Sequence, residues 1–301
     1  MKTDILVIGA GPAGLSAASY AARAGYDVIA IDQLSPGGQL MLIDEIENYP
    51  GLALTNGYKL AEDMERQATS FGAKIEFMAL KSLEKKAEGH FIAITDGDEI
   101  EAKAVIIATG ADHRHLGAKG EEENQGKGVS YCATCDGPFF KGKDIVVVGG
   151  GDTALTDAMY LAKIAKSVTI VHRRNEFRAQ KALQEKLKTL DNINLALSHN
   201  VVEILSDGTH VTGAKLENGE TLSCDAVFIF VGIVPNSTLF ENIVETDNGG
   251  FIITNGSMET SLKGVFAAGD VRNTPFRQVA TATADGAIAA HSADEYISSL
   301  S

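Results

Sequence analysis

The chain carries one pattern twice, and that pattern confines it to the α/β folds. Ile5 to Ile8 is a short apolar strand run. Gly9-Ala10-Gly11-Pro12-Ala13-Gly14 follows, then a helical pattern from Leu15 to Ala24 that stops at Gly25. A second strand, Val28 to Ile31, closes on Asp32. Strand, Gly-x-Gly-x-x-Gly turn, helix, strand and acid, in that order, predict a unit that binds a dinucleotide. The glycines permit a tight turn and bring a pyrophosphate onto a helix N-terminus. An acid about 20 residues on is placed to bond a ribose hydroxyl.

The second copy begins with the strand Ile145 to Val148 and the turn Gly149-Gly150-Gly151-Asp152-Thr153-Ala154. A helix to about Ala165 and a strand from Val168 to Val171 complete it. Where the first copy ends in an acid, this one ends in His172-Arg173-Arg174, with Arg178 just beyond. Guanidinium groups accommodate a ribose 2′-phosphate by charge and paired hydrogen bonds. The contrast predicts an FAD-type ligand for the first unit and NADPH for the second. The competing reading of Arg173 and Arg174 is a solvated surface pair. Ala226 to Gly232 echoes the apolar strand Ala104 to Gly110, so the two halves match beyond their glycine turns.

Between the copies lies Cys132-Ala133-Thr134-Cys135-Asp136-Gly137. A Cys-x-x-Cys pair can open and close a disulfide with little backbone movement. Asp136 is placed to exchange a proton with a thiol or a flavin nitrogen. The chain has three cysteines in 301 residues, too few for a structural disulfide framework. Its N-terminus reads as a strand without signal-peptide layout, from which a reducing cytoplasm is expected. A net charge of -14 argues against a nucleic-acid partner, and no apolar run approaches a membrane span. The third cysteine, Cys224, reads as a buried spectator.

The remaining segments are connectors and supports. Ser35 to Gln39 and Asn48 to Gly51 read as loops, and Tyr58 to Phe71 as a helix. Short strands between about Lys74 and Lys103 (Ile75 to Met78, Phe91 to Thr95) suggest a β-meander. Gly264 to Asp270 reads as a strand ending in Gly-Asp, and Arg277-Gln278 opens a small-residue helix from about Val279 to Tyr296. A helix N-terminus aimed at a flavin ring would stabilise its reduced anion.

With these motifs in place, the chain resembles the low-molecular-weight thioredoxin reductases nearly end to end. Beyond the two glycine turns and the Cys pair, the resemblance rests on Gly37-Gly38-Gln39, Glu47 to Gly51, Ala108-Thr109-Gly110, His172 to Ala179, Ala267 to Asp270 and Arg277-Gln278. It implies two Rossmann-like domains, with an NADPH domain at residues 115–240 inserted into an FAD domain at residues 1–114 and 241–301. Gly9, Gly11, Pro12, Ala13 and Gly14 would hold FAD, with Asp32, Gln33, Gly38, Gln39, Leu40 and Asn48. Thr109, Gly110, Gly269, Asp270, Arg277, Gln278 and Val279 would complete that site. NADPH would lie against Gly151, Asp152, Thr153, His172, Arg173, Arg174 and Arg178. Cys135 would be the sulfur nearer the flavin, Cys132 its exchanging partner and Asp136 the acid/base. The resemblance also implies thioredoxin as the protein disulfide substrate and a homodimer.

Flavin-linked relatives with the pair near residue 40 are a poorer match, because Gly37 to Leu42 has no cysteine. A zinc site built from Cys132, Cys135, His113 and His115 fits no common finger spacing, and no metal is expected. Two functional rivals remain: a flavoprotein of the same fold that reduces another disulfide protein or oxidises a small dithiol, and a nucleotide-binding protein whose Cys pair is only structural. Two departures stand out. Thr156-Asp157 replaces the two acids common after the second glycine turn, and the stretch Asp112-His113-Arg114-His115, in the first inter-domain connection, is unusual and unexplained.

Overall fold

A computed structural model describes residues 1–43 and 45–300. The chain divides into two compact units, residues 1–112 with 234–301, and residues 113–233.

The first unit is built on a seven-stranded sheet. Strands β1 (Lys2–Ile8), β2 (Val28–Asp32) and β3 (Lys74–Phe77) lie parallel beside β6 (Glu99–Ile107), in the order β3-β2-β1-β6. β4 (Leu80–Ala87) and β5 (His90–Thr95) extend the sheet as an antiparallel meander ending on β6. The expected meander therefore holds for the later strands. The run around Ile75 instead joins the parallel part, its partners being Ile29 to Asp32. The first residues of β6 pair with β5, and its last three pair with β17 (Val265–Ala267). Residues Ile5 to Ile8 are all but fully buried because helices cover one face and apolar segments the other. On one face α1 (Pro12–Arg23) packs against α6 (Val279–Ser298) through alanines and glycines: a Cβ on Gly286 would lie 2.1 Å from the Ala13 carbonyl oxygen. On the other, Phe240, Val244 and Ile252 fill a second core with Phe91 and Ile100. α2 (Gly57–Ser70) is N-capped by the Asn56 side chain, which accepts the Lys59 N–H.

The second unit holds a five-stranded parallel sheet in the order β11-β10-β9-β15-β8. Its strands are β8 (Val129–Ser130), β9 (Asp144–Gly149), β10 (Ser167–His172), β11 (Ile193–Leu197) and β15 (Ala226–Phe230). Short helices α3 (Ala133–Asp136), α4 (Asp152–Ala162) and α5 (Lys181–Leu187) pack on one side, and a three-stranded antiparallel sheet, β12 (Val201–Ser206), β13 (Val211–Leu216) and β14 (Thr221–Ser223), belongs to the core on the other. The connecting strands β7 (Ala111–His113) and β16 (Ile233–Pro235) form a two-stranded ribbon. Among the described residues no helix is long and apolar enough to cross a membrane.

Candidate active site

In the first unit the glycines of the turn do different work. Gly9 has φ +105, and a Cβ there would sit 2.3 Å from the Ala108 carbonyl oxygen. Gly14, in the first turn of α1, would drive a Cβ to 1.8 Å from the Gly9 oxygen. Both let the strand and helix meet. Gly11 differs: its nearest neighbour is the Gly38 Cα at 4.0 Å, so the space beside it is free. That space lies at the N-terminus of α1, with Gly11 as its cap residue. The positive end of the helix and two side-chain-free backbones make a cradle suited to a pyrophosphate.

Asp32 ends β2 and its carboxylate organises the turn. One oxygen accepts the Ala10 N–H at 2.7 Å, the other the Leu34 N–H at 3.0 Å. Asp32 and Gln33 line a cavity of about 330 Å³ with Gly9, Met78, Thr109 and Asp112. Gln39 donates to Asp112 at 2.9 Å, which gives the unexplained Asp112 a place in this site. Thr109 and Asn236 exchange two hydrogen bonds, Oγ1 to the Asn236 carbonyl at 2.7 Å and Nδ2 to the Thr109 carbonyl at 3.1 Å.

The third part of this site is the start of α6. Gln278 caps the helix in a box with Thr281, and its Oε1 accepts the Asn48 amide at 3.1 Å. Just past the end of β17, Gly269 turns with φ +77, and a Cβ there would lie 2.8 Å from Ala13 Cβ, so only glycine fits. Burial pushes the Asp270 carboxyl up to about 6, with Arg277 opposing the shift. Arg277 lies over the Phe251 ring at 4.3 Å, and its Nε is buried without a partner among the described residues. A buried guanidinium nitrogen without a partner among the described residues, the side-chain-free Gly11 turn and a helix N-terminus fit FAD. Sequence reading overlooked the brace beneath them: Arg272 pairs with Asp285 at 3.1 Å, and the same Asp285 oxygen accepts the Gly269 N–H at 3.1 Å.

In the second unit Gly149 again admits close backbone approach, 2.5 Å from a would-be Cβ to the Phe230 oxygen, while Gly151 has no atom within 4 Å. Gly150 makes room for His172, whose ring would meet a Cβ at 2.4 Å. His172 is 5% exposed, stacks on Phe177 and has no partner for Nε2 among the described residues. Burial, reinforced by the neighbouring arginines, holds its basicity down, so it offers a neutral imidazole. Arg173, Arg174 and Arg178 are exposed. Among the described residues none of them enters an ion pair. Asp152 accepts the Gln180 N–H and side-chain amide, at 2.8 and 3.0 Å, tying the glycine turn to α5. Thr153 is exposed at the first turn of α4. An open turn, an orphaned ring nitrogen and three uncompensated guanidinium groups fit NADPH.

Cys132 and Cys135 are joined in a disulfide, with Cα atoms 5.3 Å apart. Cys132 caps α3, its sulfur accepting the Cys135 N–H at 3.2 Å. Both cysteines are half-buried. Asp136 accepts the Ser130 hydroxyl at 2.5 Å. Next to the pair sits a cluster that sequence reading left unread. Glu121, 2% exposed, accepts the N–H groups of Leu116, Gly117 and Ala118 and the Tyr131 hydroxyl. His113 stacks on the Tyr131 ring and His115 approaches its hydroxyl at 3.0 Å, which places the odd histidines of the first connection around the residue before Cys132. The hydroxyl proton goes to the carboxylate, so His115 Nδ1 is the donor to the phenol oxygen. Cys224 is buried, and burial pushes its thiol up to about 12, out of reach of redox work.

Two dinucleotide cradles and a disulfide on the second of them define a nucleotide-fed dithiol–disulfide oxidoreductase. The chain belongs to the pyridine nucleotide-disulphide oxidoreductase family, matched over residues 3–286, and within it to the low-molecular-weight thioredoxin reductases, which bind FAD and use NADPH. It is 47% identical to a thioredoxin reductase of Treponema pallidum over 99% of this chain and 98% of the relative. Against the Bacillus subtilis thioredoxin reductase it is 42% identical over 99% and 95%. The crystal structure of thioredoxin reductase from Streptococcus pyogenes superposes with a TM-score of 0.95 at 41% identity, covering 99% of both chains.

Proposed function

We propose that this chain reduces the disulfide of thioredoxin with electrons from NADPH, by way of FAD and the Cys132–Cys135 pair. The observation that carries the reading is the Cys132–Cys135 disulfide, held in the same unit as an open glycine turn with three exposed arginines close by in the chain. Arg173, Arg174 and Arg178 hold the 2′-phosphate, and the Gly151 turn takes the pyrophosphate. Gly11, Asp32 and the N-terminus of α6 hold FAD, which when bound carries two electrons between nicotinamide and disulfide. Asp136 moves the proton that opening and closing the disulfide requires. Cys132 then exchanges with the substrate disulfide, Cys135 being the sulfur nearer the flavin.

Nicotinamide and disulfide belong to the same unit and cannot occupy one face of a flavin together, so that unit turns on its connections between half-reactions. The two connecting strands are hydrogen-bonded side by side: Asn236 N–H donates to Gly110 O and Arg114 N–H donates to Gly232 O, each at 3.0 Å. A homodimer working in the cytoplasm completes the proposal. The test is Cys135→Ser. Reduction of bound flavin by NADPH persists and thioredoxin turnover is lost; turnover retained by the variant would refute the assignment.

A further inference from the structure

Ser130 has no role in the electron path, yet its side chain touches both ends of the redox turn. It closes β8, which pairs parallel with β15 through Ser130 and Phe228, and it is 4% exposed. Its oxygen accepts the Cys132 N–H at 3.1 Å, and its hydroxyl donates to Asp136 Oδ2 at 2.5 Å. The Cys132 carbonyl lies farther away, at 3.4 Å, so the single hydroxyl proton belongs to the carboxylate. One hydroxyl thus links the backbone of the exchanging cysteine to the proton-handling carboxylate.

We propose that Ser130 is the positioning residue of the redox turn, holding Cys132 and Asp136 in register through the cycle. The proposal rests on Asp136 being the acid/base. While the disulfide is closed, the S–S bond itself fixes the turn. Once it is opened by two electrons and two protons to give two thiols, that covalent tie is gone. The Ser130 bridge, anchored in the sheet, then keeps the carboxylate and the Cys132 backbone where the next proton transfer needs them. The same hydroxyl favours the ionised carboxylate, since a donor to a charged oxygen stabilises the charged form.

Ionisable groups on and beside the turn include Cys132 and Cys135 and, just past the end of β8, Tyr131, while α4, the helix packed against α3, carries Asp152, Asp157 and Tyr160. The following turn, Gly137–Phe140, carries none. Asp157 is the one whose titration could be mistaken for that of Asp136, so Asp157→Asn serves as the background in which pH profiles are compared.

The test compares Ser130→Ala with Ser130→Thr and Ser130→Val, a shape-matched pair with and without the hydroxyl, in the FAD-loaded protein. The Ala and Val variants lose several-fold in kcat for thioredoxin with the KM for NADPH unchanged. The limb of the pH–rate profile that Asp136→Asn abolishes moves upward by about one pH unit in both. Ser130→Thr restores rate and profile. Without any cofactor, the Cys132 amide exchanges its hydrogen faster in the Ala and Val variants than in wild type or Thr. If Asp136→Asn removes the limb while Ser130→Ala and Ser130→Val leave it in place, the positioning role is overturned and the role of Asp136 stands. If Asp136→Asn leaves the limb untouched, the acid/base reading itself fails and takes this one with it.

Discussion

Gly11→Ala and Gly14→Ala sit three residues apart in one turn, and the structure assigns them opposite consequences. Gly14 has no room: its Cβ would lie 1.8 Å from the Gly9 carbonyl oxygen and 3.3 Å from Val7 Cγ1. The first of these is backbone and can yield only by shifting the turn. Overpacking of this kind costs about 1–3 kcal/mol, and a backbone clash at this distance belongs at the upper end or beyond. Gly11 has ordinary extended backbone, φ -74, and nothing closer than 4.0 Å. Alanine fits there and stabilises the apoprotein by about 0.4–1 kcal/mol through the unfolded chain. The added methyl instead occupies the space a pyrophosphate needs against the N-terminus of α1. Loss of one backbone bond to a charged oxygen is worth about 1.5–3 kcal/mol, or roughly ten- to a hundredfold in FAD affinity. Denaturant unfolding of the apoproteins measures the first effect, and fluorescence titration with FAD the second. The reasoning is refuted if Gly11→Ala binds FAD as tightly as wild type, or if it destabilises the apoprotein as much as Gly14→Ala does.

Three further outcomes are expected. Arg173→Ala with Arg174→Ala raises the KM for NADPH far more than that for NADH in steady-state assays; equal effects would show that the pair does not read the phosphate. Arg272→Met leaves the Asp285 carboxylate buried and unpaired and destabilises the protein by about 3–5 kcal/mol in denaturant unfolding, most of which Asp285→Leu in the same chain recovers. Burial raises the Asp157 carboxyl to about 6 from an ordinary value near 3.8. The native chain therefore holds a proton that the unfolded chain has released, and stability falls as pH rises through that window. Asp157→Asn removes the penalty, stabilising the protein at pH 7 by about 1–2 kcal/mol after allowance for partial solvent screening, with the gain absent below about pH 4 in thermal scans.

Much of this molecule is written in short-range sequence. A parallel strand buried on both faces reads as an unbroken apolar run, and a glycine turn has few alternative uses once a strand precedes it and a helix follows. The runs around Ile5 and Ile145, both cradles and the Cys pair were legible for that reason. The misses arise where long-range packing decides. Ile75 reads like any short strand, and only its pairing with β2 takes it out of the meander. Glu121 opens a run of three glutamates that belongs to no motif, and a turn of backbone buries it under three N–H groups. Asp285 sits on a helix of small residues and acquires meaning only when Arg272 is folded against it. Ser130 was in plain view beside the cysteines. Its bond to Asp136 depends on the chain turning back on itself over six residues, and no periodicity records such a turn.

The central claim is that Cys132–Cys135 is electronically connected to NADPH through bound flavin. Anaerobic titration of the FAD-loaded protein with NADPH, followed by free-thiol counting and addition of oxidised thioredoxin, tests it most directly. The account expects uptake of about two NADPH per chain, two electrons for flavin and two for the disulfide. Two new thiols then appear at Cys132 and Cys135, and thioredoxin reoxidises them. Uptake that stops at about one NADPH per chain with the Cys132–Cys135 disulfide still closed would contradict it.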